Sequence, residues 1–168
     1  MMKFVLMFVF TAAMTLAVSA AGIGNGGFEN KGSWRIVGGE LKDGAGMNGS
    51  RGLYLKNDDP AKGCRAWQFV RVEAGKSYKL SYMTKAVITK TGKNNIGASS
   101  VLVFHGDKKV VKRQNNEGLT ATSDGWVKKE IVFAVPAGLR AFELQFVMTH
   151  GFCGEAFFDD VRLEEVVE

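Results

Sequence analysis

Apolar and polar residues alternate with a period of two over most of this chain, the repeat of a half-buried β-strand. In AWQFVRVE, Gln68, Val70 and Val72 fall on one side and Trp67, Phe69 and Arg71 on the other, and the run stops at Ala74-Gly75. SYKLSYMTK turns Tyr78, Leu80 and Tyr82 inward and leaves Lys79, Ser81, Met83 and Lys85 outside. GLYLK sets Leu53 and Leu55 against Tyr54 and Lys56, and WVKKEIVFAVPAG offers Ile131, Phe133 and Val135. RAFELQFVMT sets Phe142, Leu144, Phe146 and Met148 against Glu143, Gln145 and Val147, while Ser99 to His105 is apolar on both faces. SWRIV is a shorter candidate strand, and Lys108 to Gly125 reads as a long polar connection. No heptad, internal repeat or helical period interrupts this pattern. It predicts an all-β fold, a two-sheet antiparallel sandwich. The predicted core is Phe28, Leu53, Leu55, Val70, Val72, Tyr78, Leu80, Tyr82, Ile131, Phe133, Phe142, Leu144, Phe146, Phe157 and Val161.

The closing stretch GEAFFDDVRLEE contains a conflict. At a strict period of two, Phe157, Asp159, Val161 and Leu163 share one face, and Phe158, Asp160 and Arg162 the other. A carboxylate in an apolar row costs several kcal/mol unless a cation or strong hydrogen-bond donors meet it. Asp159 therefore calls for a partner.

Composition narrows the picture. With 168 residues, 46% apolar, one domain is expected, but its first residues stand apart. Lys3, the apolar run Phe4 to Val18 and then Val18-Ser19-Ala20 have the basic, hydrophobic and small-residue parts of a secretory signal, with cleavage expected after Ala20. Residues 1–20 would thus be a signal peptide and 21–168 the domain. The product would be secreted, extracellular or periplasmic, with no membrane attachment after cleavage. Without residues 1–20 the formal charge is +4, spread along the chain with no basic stripe or motif, so no nucleic-acid partner is expected. Export permits a disulfide, and Cys64 and Cys153 allow one pairing only.

Five pieces in order, NGGFE at Asn25 to Glu29 followed by Trp34, the strand holding Gln68, VEAGKSY, GW with IVFAVPAG, and FFDDVRLEE, give the mature chain a family likeness. It resembles the jelly-roll carbohydrate-binding modules attached to bacterial xylanases and endoglucanases, of the galactose-binding-domain-like type. The resemblance implies a jelly roll and a poly- or oligosaccharide partner. It also implies a structural calcium at the meeting of first and last strands, with Glu29 and Asp159 as side-chain ligands and backbone carbonyls completing the shell.

Contact residues vary within such a family, so the ligand site rests on chemistry. Sugars stack their C–H faces on aromatic rings and pair their hydroxyls with planar polar groups. Trp67, Phe69 and Arg71, with Tyr54, Glu143 and Gln145, compose such a platform, and Trp34 could belong either to it or to the core. Catalysis is not expected. The two histidines, His105 and His150, carry no recognisable motif, and His150 near Cys153 reads as a turn. The competing expectation is a secreted structural or protein-interaction sandwich without a sugar site.

Overall fold

A computed structural model of the chain describes residues 22–107 and 109–167, and the expected signal peptide, residues 1–20, lies outside the described residues. Ten strands form: β1 (Arg35–Val37), β2 (Gly39–Lys42), β3 (Gly52–Asn57), β4 (Cys64–Arg71), β5 (Ser77–Lys90), β6 (Ala98–His105), β7 (Val110–Asn115), β8 (Val127–Ala134), β9 (Ala141–Met148) and β10 (Cys153–Val166). They make two five-stranded sheets, β1-β4-β9-β6-β7 and β2-β3-β10-β5-β8, with every pairing antiparallel. The predicted sandwich is the observed one.

The inward rows interdigitate as an aromatic core. Phe146 stacks on Phe158 at 4.5 Å and meets Tyr82 edge-on at 5.0 Å, while Phe133 meets Phe142 at 5.1 Å. Each such ring taken from water contributes roughly 1.5–3 kcal/mol, so the sheets are held face to face mainly by these contacts. Of the predicted core residues, all but Phe157 lie in this core or pack against it.

Phe157 departs because β10 does not keep a strict period. A bulge between Asp159 and Arg162 shifts the register against β5, with Asp160 in the left-handed region at φ 50°. Ala156 and Phe158 point into the core, Phe157 lies outside against Tyr54, and the bulge returns Val161 to the interior. A bulge costs one residue of alternation, which a strict period of two cannot show.

Two further expectations are corrected. The Lys108 to Gly125 connection contains β7, an edge strand that is mostly polar and exposed, so it lacks the apolar alternation of a central strand. Cys64 and Cys153 are both buried and unbonded. Cys64 opens β4 and joins the core, whereas Cys153 opens β10 in the other sheet.

Candidate functional site

The outer face of the β1-β4-β9-β6-β7 sheet gathers most of the predicted platform. On β4 the outward row is Arg65, Trp67, Phe69 and Arg71. Register places Trp67 beside Arg35 of β1 and Gln145 of β9, and Phe69 beside Glu143. β6 continues the rows with Val101 next to Gln145 and Val103 next to Glu143, and β7 adds Asn115 and Arg113.

Relief on this face follows from burial. Val101, Val103 and Val147 point outward yet are almost inaccessible, packed with Ile96. They form a floor over which larger neighbours stand. Phe69 is 61% exposed, which is unusual for a phenyl ring and leaves an apolar surface for a ligand. Trp67 is half-buried, with the Arg65 guanidinium over its ring at 4.5 Å.

Planar polar groups run along the middle of the face. The Gln145 amide donates to Glu143 Oε1 at 2.6 Å, and Glu143 Oε2 lies 3.0 Å from His105 Nε2. His105 in turn packs 5.8 Å from the Phe69 ring. Each member fixes the next, so acceptors and donors are held in place beside two aromatic rings. Such an arrangement suits a ligand with hydroxyls and C–H faces. His105, Arg65, Arg113 and Asn115 were not singled out by sequence. His105 ends a strand apolar on both faces, and β7 was not recognised, so the register that brings them in was hidden.

Two predicted residues lie elsewhere. Tyr54 is on the outer face of the opposite sheet, where its ring meets Phe157 at 5.3 Å, Lys42 sits over it at 4.4 Å, and its hydroxyl donates to Glu155 at 2.8 Å. Partial burial and the Glu155 carboxylate push its phenol up to about 12. Its strand does alternate as expected, but alternation does not say which sheet a strand joins. Trp34 is core, 8% exposed, against Phe28 at 5.2 Å and Phe146 at 5.5 Å, with its indole N–H donating to the Asn25 carbonyl at 3.1 Å. β1 is only three residues long and starts after Trp34, so the indole belongs to the entry loop and folds inward.

Asp159 does find partners. It is 5% exposed, and its Oδ2 accepts from the Met47 amide at 2.8 Å and the Ser50 hydroxyl at 3.2 Å, while Oδ1 accepts from the Asp160 amide at 2.7 Å. Gly46 makes this possible, since a Cβ there would meet Asp159 Oδ2 at 2.8 Å and press on the Arg51 carbonyl. The opening segment joins the same corner, where the Val161 amide donates to the Gly26 carbonyl at 3.0 Å. Glu29 is exposed, and its carbonyl accepts from Arg51, whose Nε is bonded to Asp43 at 2.6 Å. These oxygens already have hydrogen-bond partners without a calcium ion. The Asp159 carboxylate is met by three hydrogen-bond donors, a guanidinium occupies the Glu29 side of the corner, and no three acidic, His or Cys side chains cluster among the described residues.

The remaining nucleophile candidates are poorly placed for chemistry. Burial pushes the Cys64 thiol up to about 11, the opposite of an activated thiolate, and His150 is exposed on a turn while Cys153 is buried.

No family model matches the chain, and no curated protein is similar to it in sequence; the likeness is one of structure. The fold is that of the jelly-roll carbohydrate-binding modules. The CBM22-1 xylan-binding domain of Paenibacillus barcinonensis Xyn10C superposes with a TM-score of 0.65 at 15% identity, covering 90% of this chain and 99% of that one. A CBM61 module in complex with β-1,4-galactotriose gives 0.54 at 17% identity, over 88% and 100% of the two chains. The enzymatically active domain of a bacteriophage tailspike protein 4 gives 0.64 at 16% identity, but the match over 87% of this chain spans only 21% of that one.

Proposed function

We propose that this chain is a non-catalytic carbohydrate-binding module that holds a poly- or oligosaccharide on the outer face of the β1-β4-β9-β6-β7 sheet. The observation that carries this is the juxtaposition of Trp67 and the exposed Phe69 with the fixed Gln145–Glu143–His105 series. Sugar rings would lie on the two aromatic side chains, and hydroxyls would pair with the carboxylate and amide beside them. The xylan-binding and galactotriose-bound neighbours support a glycan as the partner class. A binding role needs only this preorganised face, and the buried, protonated Cys64 supplies no nucleophile. The basic and apolar opening of the sequence supports export to a compartment where polysaccharide is met. The calcium implied by the family likeness is not needed for this reading.

Affinity electrophoresis against a panel of soluble polysaccharides tests it. Wild-type protein is expected to be retarded by at least one of them. Trp67→Ala is expected to weaken that binding about tenfold or more, the loss of roughly 1–2 kcal/mol of ring contact. Retardation by no polysaccharide, or retardation unchanged in Trp67→Ala, would refute the proposal.

A further inference from the structure

The platform is cationic as well as aromatic. Of the seven arginines in the sequence, Arg35, Arg65, Arg71 and Arg113 project from this one face. None of the four is paired with a carboxylate among the described residues; Arg65 lies on Trp67, and Arg113 donates to the neutral Asn115 at 3.0 Å. The strands of this face contribute a single outward carboxylate, Glu143, and it is already engaged by His105 and Gln145. The described lysines lie off this face, on the opposite sheet, in loops, or, as with Lys112, turned toward Phe104.

The charges are also ordered. The outward row of β4 reads Arg65, Trp67, Phe69, Arg71, which puts the two guanidinium-bearing positions about 20 Å apart with both rings between them. Each end opens into a pocket. Near Arg65, a pocket of about 260 Å³ is lined by Arg65, Arg113, Gln145 and His150 with no acidic side chain. Near Arg71, one of about 520 Å³ is lined by Arg71, Arg140 and His105, with Asp107 its one acid. Like charges on one surface repel each other, and a ligand of opposite sign relieves that repulsion. Guanidinium forks match planar or tetrahedral oxyanions, donating two parallel hydrogen bonds where a lysine would offer a point charge.

From these placements, and resting on the sugar-binding reading above, we infer that the glycan held on this face is acidic, a polysaccharide carrying carboxylate or sulfate groups. Its rings would stack along Trp67 and Phe69, and its anionic groups would meet the arginines at either end.

Matched glycan pairs separate this inference from the reading beneath it. Polygalacturonate would be compared with its carboxyl-reduced, neutral counterpart, and a sulfated galactan with its desulfated form, by isothermal titration at low salt. The protein is expected to bind an acidic member about tenfold or more tighter than its neutral partner, the effect of one or two charge-assisted hydrogen bonds. Which pair shows the preference tells uronate from sulfate. The preference should shrink as salt is raised toward ~0.5 M and fall severalfold in Arg65→Gln/Arg113→Gln, with circular dichroism confirming the fold. Equal affinity for acidic and neutral members would overturn the acidic assignment and leave sugar binding standing. Binding to neither would remove both. Acidic binding that Trp67→Ala does not weaken would show ion exchange without sugar recognition, and would also overturn it.

Discussion

Replacing Asp159 by Ala tests the corner where the chain's opening segment, the glycine-rich segment and β10 meet. The carboxylate accepts three hydrogen bonds, two of them from residues more than 100 positions away, Met47 at 2.8 Å and Ser50 at 3.2 Å. Hydrogen bonds to a charged group are worth about 1.5–3 kcal/mol each, and a donor left buried without a partner costs a similar amount. The Ser50 hydroxyl also donates to the Met47 carbonyl at 2.7 Å and keeps that bond, so it should contribute least. The Met47 and Asp160 amides dominate, which gives a loss of about 3–5 kcal/mol for Asp159→Ala. For a domain of ordinary stability this is a third or more of the total, and with a urea m-value near 2 kcal/mol/M it moves the midpoint by roughly 2 M. Asp159→Asn keeps the shape but turns an N–H toward one of the amide donors, so it should cost less, about 1–3 kcal/mol. Urea unfolding followed by tryptophan fluorescence measures both. If both variants stay within about 1 kcal/mol of wild type, hydrogen bonding by Asp159 does not hold this corner. A chelator arm belongs in the same experiment: because Arg51 and the amide donors meet these oxygens, EDTA should leave the wild-type melting temperature unchanged. A fall that calcium reverses would place the ion between Glu29 and Asp159 and displace Arg51.

Two other expectations concern groups outside that corner. Denatured protein should react with a thiol reagent at two cysteines, and stability should fall as pH rises from about 9 to 11. In that window burial keeps Cys64 protonated in the fold while the unfolded chain loses the proton, so the unfolded state binds fewer protons, at a cost of about 2–3 kcal/mol. Thermal melts across that range check it, and a flat profile would contradict the buried thiol. Tyr54→Ala should leave glycan affinity within about twofold of wild type because Tyr54 lies on the other sheet. A tenfold loss would show that the opposite face, with Tyr54 and Phe157, is the binding surface.

Much of this fold is legible in the sequence because its central strands are half-buried and alternate strictly. The Gln68/Val70 and Phe142/Leu144/Phe146 rows lie inward as their spacing implies, and Trp67, Phe69, Arg71, Glu143 and Gln145 therefore share one outer face. What alternation cannot carry is sheet membership and broken register. Tyr54 alternates correctly and still ends on the wrong sheet for the platform. Phe157 and Phe158 exchange places relative to the core because a bulge follows them, and Trp34 turns inward because its strand begins one residue later. The cationic character of the site was hidden for the same reason. The arginines are far apart in sequence and mixed with lysines, and only the pairing of β1, β4 and β7 with their neighbours brings four of them to one side.

β10 is late in sequence yet central in its sheet, with β3 on one side and β5 on the other. Before it is inserted, both of those strands present open edges and the core lacks the inward row of Ala156, Phe158 and Val161. This domain therefore cannot grow by adding strands in the order in which they are made. The β2-β3 and β5-β8 pairs become one sheet only when the fourteen-residue β10 joins them, a pairing that closes long loops. A chain cut before Cys153 would keep every strand of the β1-β4-β9-β6-β7 sheet and leave the other as two separate pairs, β2-β3 and β5-β8, with open edges where β10 belongs.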